Sequence, residues 1–193
     1  MKVVSLLIAV CGCIFSACLA SSPDALEGQE REASMAFGSI DVTEVGPNPR
    51  QFPARVRFVD VVHVATQQQI RIKVNPRLQT FFVSLRPGTY EMVRVQINEG
   101  PFMAESYLHA RFDIPAGMVT HLGRWQFAVE TPRTQRMVSL TISEENWNWD
   151  EVLEHNPGME GKVIINSFPQ LMDSRDRLYA VAPNPKLKYF YRQ

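Results

Sequence analysis

A chain of 193 residues with 45% hydrophobic and 21% charged side chains has the make-up of one globular domain with a buried core. Twenty Lys and Arg stand against twenty Asp and Glu, a balance that argues against nucleic acid as the partner, because phosphate binding needs a concentrated positive field. The cysteines fall at positions 11, 13 and 18. The rest of the chain therefore holds no internal disulfide, thiolate nucleophile or cysteine metal site.

The first element is a leader. Met1-Lys2 is a short positive start, Val3 to Phe15 is apolar apart from Ser5 and Gly12, and Ser16-Ala17 places two small residues before Cys18. These are the three regions of an export signal, and the apolar run is shorter than the ~20 residues of a membrane span. Phe15-Ser16-Ala17-Cys18 resembles the lipobox of bacterial lipoproteins, with Phe15 where Leu is usual. The resemblance implies cleavage after residue 17, acylation of Cys18, and a membrane held through the lipid. Several acyl chains, at about 0.8 kcal/mol per buried methylene, make such an anchor durable. Leu19 after the cysteine resembles lipoproteins sorted to an outer membrane, facing the periplasm or the cell surface. Two other sites remain open: Cys13 after Gly12, and ordinary cleavage around Cys18-Leu19-Ala20.

Residues 18–34 are rich in Ser, Glu, Asp, Gln and Gly. Such a stretch buries too little to offset its ordering entropy, and it reads as a tether. From 35 to 142 the pattern is one of short β runs between turns. Strands are expected over Met35–Val45, Ala54–Ala65, Gln69–Val74, Thr80–Leu85, Thr89–Asn98, Tyr107–Ile114, Met118–Glu130 and Arg136–Ile142. In the third, Ile70, Ile72 and Val74 share a face opposite Arg71 and Lys73. In the fifth, Val93, Val95 and Ile97 are expected together, opposite Met92, Arg94 and Gln96. Regular spacing without long helices predicts a mainly β chain, an antiparallel β-sandwich.

Arg86-Pro87-Gly88-Thr89 suits a type II turn, with Pro fixing a negative φ and Gly accepting a positive one. Pro115-Ala116-Gly117 is expected to close the next hairpin. FFVSLRPGTYEMVRV, IPAGMVTHLGRW and the opening Gly38-Ser39-Ile40-Asp41-Val42 resemble prealbumin-like sandwich modules, including those similar to the carboxypeptidase regulatory domain. The likeness runs from Phe37 to about Glu130. It implies an adhesion, folding or interaction module and not a catalyst, and fold likeness alone says little about activity.

Residues 143–193 form a C-terminal extension expected to pack on the sandwich. Ser143 suits a helix cap with Glu144 and Glu145 behind it, and a short helix is expected over Trp147–Glu154, before Asn156-Pro157-Gly158. Lys162–Phe168 reads as extended, and the chain ends in a basic, aromatic tail, Tyr189-Phe190-Tyr191-Arg192.

Chemistry-bearing motifs are few. His63, His109, His121 and His155 show no local ligand spacing. A hairpin about Ala116 would set His109 diagonal to His121, about 7–8 Å apart, with a weak transition-metal site as the sharp reading and a polar sheet face as the plain one. No P-loop, G-x-S-x-G or H-E-x-x-H occurs, so no catalytic residues, metal or cofactor are assigned. Trp147 and Trp149 cannot share one helix face; one is expected to pin the segment to the core, or the pair to present a stacking platform for a glycan. Two functional expectations follow. One is a lipid-anchored, non-catalytic envelope protein that binds a protein partner or supports an assembly. The other is a glycan- or cell-wall-binding module with Trp147, Trp149, His109 and His121 as candidate contacts.

Overall fold

The computed structural model describes residues 34–47, 52–131, 136–145, 147, 156–159 and 161–181. Cys18, Trp149, His155 and the aromatic tail lie outside them, as does all but the first residue of the expected 147–154 helix. The described residues form two sheets packed face to face, a β-sandwich built mainly of antiparallel pairs.

Sheet A contains β1 (Ser34–Val45), β4 (Thr80–Leu85), β8 (Val119–Glu130), β9 (Met137–Ser143), β10 (Ile164–Asn166) and β12 (Arg175–Arg177). Sheet B contains β2 (Ala54–His63), β3 (Gln69–Lys73), β5 (Gly88–Glu99), β6 (Phe102–Ser106), β7 (Ala110–Ile114), β11 (Gln170–Leu171) and β13 (Tyr179–Val181). Sheet A runs β12-β9-β8-β1-β4 and sheet B runs β11-β7-β5-β2-β3. Within sheet A, β8 lies parallel to β1, and β10 parallel to β8. The remaining pairs are antiparallel.

The inner faces meet in one apolar core. Trp125 is fully buried at its centre, 5.2 Å from Phe81 of sheet A and 6.1 Å from Phe112 of sheet B, ring to ring. Its indole N–H donates to Leu122 O at 2.9 Å, so the burial leaves no orphan donor. Tyr90 is equally enclosed, stacks on Phe112 at 5.7 Å, and donates its hydroxyl to Arg86 O at 2.9 Å. This bond ties the start of β5 to the segment that delivers it.

Both proline-glycine turns lead somewhere other than a hairpin. Pro87 carries the chain from β4 in sheet A to β5 in sheet B, and residues 115–118 carry it from β7 in sheet B to β8 in sheet A. Gly88 has φ +140°, and a Cβ there would stand 2.3 Å from His63 Nε2, so glycine is required by sterics as well as by conformation. The buried His63 is held in turn by Thr66, whose amide donates to its Nδ1 at 3.1 Å.

The alternation expected in β2 and β5 is broken by two bulges. Val56 pairs with Ile97 and Phe58 with Gln96, leaving Arg57 as an extra residue on β2. Asp60 pairs with Arg94 and Val61 with Met92, leaving Val93 extra on β5. Each insertion reverses the faces beyond it. Met92 therefore joins Val95 and Ile97 in the core, contrary to the simple alternation, while Phe58 turns away from Val56 onto the solvent side.

After β9 the chain adds strands to both sheets alternately. β10 pairs with β8, β11 with β7, β12 with β9 and β13 with β6. Asp176 on β12 fixes this arrangement by accepting from Ser106 Oγ at 2.9 Å and from Tyr107 N at 2.8 Å. The sandwich thus continues to Val181 and does not end at residue 142.

Candidate functional site

The sequence-predicted contacts divide between the two outer faces. His121 lies on the outer face of sheet A, 1% exposed, stacked on Phe37 at 4.9 Å and edge-on to Phe168 at 5.8 Å. Its Nδ1 is 3.1 Å from Asn166 Oδ1. Burial lowers its pKa from the ordinary histidine value, against an opposing pull from the Asn166 contact and from Glu145 and Glu144. Trp147 is half-buried in the same cluster, edge-on to Phe37 at 5.6 Å and to His121 at 6.0 Å. With Val119 and Met159 it forms a small second core beneath the C-terminal segment. Trp147 is thus used in packing.

His109 sits on the other side of the molecule. It precedes β7 of sheet B, with its Nδ1 3.0 Å from Glu91 Oε1, and Arg111 NH2 is 3.2 Å from Glu91 Oε2. Because β7 and β8 belong to different sheets, the expected His109–His121 diagonal is not formed. No group of three or more metal-ligating side chains occurs among the described residues.

What sequence reading missed is the outer face of sheet B. There a groove of about 500 Å³ is lined by Arg57, Phe58, Arg71, Lys73, Val74, Arg94, Gln96 and Glu105. That is within the size range of ligand-binding clefts. Two of these residues, Arg71 and Arg94, are held by Asp60, whose side chain is 1% exposed. The Asp60 carboxylate accepts from Arg71 Nε at 2.8 Å, Arg94 Nε at 2.9 Å and Gln69 Nε2 at 3.1 Å. Burial alone would raise this carboxyl's pKa. The hydrogen bonds from Arg71 and then Arg94, with the charges behind them, more than reverse that, and hold it below the usual range. Arg71 also lies over the Phe58 ring, its Cζ 3.7 Å from the ring centre, and Arg94 reaches Glu105 at 3.4 Å.

Asp60 and Phe58 thus hold two guanidinium planes in place, at 46% and 28% side-chain exposure. A planar fork already fixed loses less freedom when it takes a further acceptor. Around the groove four cations face two carboxylates, and neither Arg57 nor Lys73 has an ion-pair partner among the described residues. The surface is chemically suited to bind anionic groups, with Gln96 as a neutral donor and acceptor.

No family model, no curated protein and no solved structure matches this chain.

Proposed function

We propose that the chain is an exported envelope protein, lipid-anchored at Cys18, whose sandwich is a non-catalytic module binding a protein partner through the groove of sheet B. The groove carries this reading. It is open and concave, its cations outnumber its carboxylates, and two of those cations are oriented in advance by a buried Asp60. The anchor rests on the Phe15-Ser16-Ala17-Cys18 pattern and on the polar stretch that separates it from β1.

Photocrosslinking in intact cells tests the binding surface. A photoreactive residue replacing Gln96 is expected to give a discrete adduct, absent when Arg57 and Lys73 are both changed to Glu and absent from a probe on the outer face of sheet A. An adduct pattern indifferent to those charges would refute the surface. The anchor has its own test. Cys18→Ser should abolish incorporation of labelled fatty acid; incorporation that persists in the variant would refute it.

A further inference from the structure

The groove borders the open edge of sheet B, and that edge has a chemical character of its own. β3 pairs only with β2 among the described residues. At the turn between them, His63 N donates to Gln68 O at 2.9 Å and Gln67 N donates to His63 O at 2.8 Å. Antiparallel pairs alternate between bonded and non-bonded residues from there on. The bonded pairs along β3 are accordingly Val61 with Ile70 and Val59 with Ile72. Gln69, Arg71 and Lys73 therefore turn their backbone N–H and C=O groups outward, to the side where no strand of the described residues lies.

The same three residues place their side chains on the groove side of the sheet. Gln69 and Arg71 both reach Asp60, and Lys73 lines the groove. Among the described residues, this short strand thus offers an unpaired backbone edge together with two cations at alternate positions, Arg71 and Lys73. A strand laid beside it would set its own alternate side chains directly opposite Arg71 and Lys73. Cations on an edge repel a second copy of that edge, which guards against self-pairing. They favour an added strand of opposite charge.

Building on the reading of this face as the partner surface, we infer that the occupant is an extended, acidic segment of a partner protein. It adds to β3 as a further strand, with carboxylates at alternate positions paired to Arg71 and Lys73. Backbone hydrogen bonds to Gln69, Arg71 and Lys73 supply binding independent of sequence, and the charge alternation supplies register and choice of partner.

The test uses the full-length protein and a fluorescein-labelled peptide of four Glu-Val repeats, followed by fluorescence anisotropy. A Lys-Val peptide of equal length and dextran sulfate serve as comparisons. Saturable binding of the Glu-Val peptide and none of the Lys-Val peptide is expected. Lys73→Gln removes one charge opposite a carboxylate and should weaken binding about two- to fivefold. Lys73→Pro removes the same charge and also the outward N–H, at an edge position where proline leaves the β2 pairing intact. It should weaken binding about tenfold beyond Lys73→Gln. Dextran sulfate should not distinguish the two variants.

Equal binding by Lys73→Gln and Lys73→Pro would overturn strand addition while leaving the anionic groove in place. Wild-type affinity in both Lys73→Gln and Arg57→Gln would overturn the groove as well. Failure of the Glu-Val peptide to saturate at millimolar concentration also overturns the inference. Should Lys73→Pro not fold, amide exchange in the wild type decides. Bound peptide must slow exchange at Gln69, Arg71 and Lys73, and unchanged rates there refute the added strand.

Discussion

Asp60 provides the most demanding check on the site, because its replacement tests the geometry and the electrostatics together. Its side chain is 1% exposed and is held by Arg71, Arg94 and Gln69. Breaking a wholly buried ion pair by removing one partner costs about 3–5 kcal/mol, and an exposed pair is worth about 0–1 kcal/mol. The Arg71 and Arg94 side chains are 46% and 28% exposed, so water takes over part of what the carboxylate supplied. A cost of about 2 kcal/mol is therefore expected for Asp60→Asn at neutral pH, or a melting temperature lower by about 4–8 °C for a domain of this size. Urea unfolding followed by tryptophan fluorescence measures it, because Trp125 is fully buried. The pH dependence adds a second constraint. A carboxyl whose pKa is lower in the folded state stabilises fully above its unfolded value, near 4 for Asp, and that stabilisation is lost as pH falls through the lowered folded value. The gap between wild type and Asp60→Asn should accordingly close in acid below about pH 4. Other depressed carboxyls, Glu91 and Asp176, are common to both proteins and cancel in the difference. A neutral-pH difference under about 0.5 kcal/mol, or a gap that stays constant into acid, would refute the buried, doubly paired carboxylate.

Gly88→Ala should destabilise by about 2–4 kcal/mol, since the new Cβ meets His63 Nε2 at a positive φ; a melting temperature within 2 °C of wild type, on the scale of about 2–4 °C per kcal/mol, would contradict that close approach. His121 has a pKa lowered by burial, so its share of stability is present above the ordinary histidine value near 6.5 and is lost as pH falls below it. His121→Phe should flatten the fall in urea midpoint between about pH 7 and pH 5, and an unaltered slope counts against burial as the cause. Asp176→Asn weakens the tie between β12 and the Ser106-Tyr107 turn, and a loss of about 1–2 kcal/mol is expected. Hydrogen exchange at the Tyr107 amide reports it directly; unchanged protection there would show that the bond is not made in solution.

Much of the sandwich can be read from residue order alone. β3 shows the clearest alternation, with Ile72 buried between exposed Arg71 and Lys73, and β4 stands out as an apolar run bounded by turn residues. The short strands are another matter. Phe102–Ser106 is partly buried along most of its length, and β10 to β13 are two or three residues each. Their pairing depends on a sheet edge already built by distant residues, and that edge leaves no periodicity in the segment itself. The two Pro-Gly turns teach a related lesson. Backbone dihedrals at Gly88 follow from local chemistry, but which sheet receives the next strand depends on the twist and packing of both layers. Separation of His109 from His121 follows from that choice at residues 115–118.

The groove was hidden for a sharper reason. Simple alternation puts Val56 and Phe58 on one face, and Met92 with Arg94 on the other. The extra residues Arg57 and Val93 reverse both relations. Without the first, Phe58 and Asp60 would turn toward the interior, where a carboxylate has no partner to offset its desolvation. Without the second, Met92 would face solvent and Arg94 would no longer share its face with Tyr90's polar neighbour Glu91. The two bulges together keep apolar side chains inside along the full length of β2 and β5 while delivering Phe58, Asp60 and Arg94 to one place outside. Bulges of this kind aim side chains at functional surfaces. A groove assembled by two of them, on the longest paired strands of the sheet, is a specified feature of this fold, and the charge it gathers is the physical basis for expecting an acidic partner there.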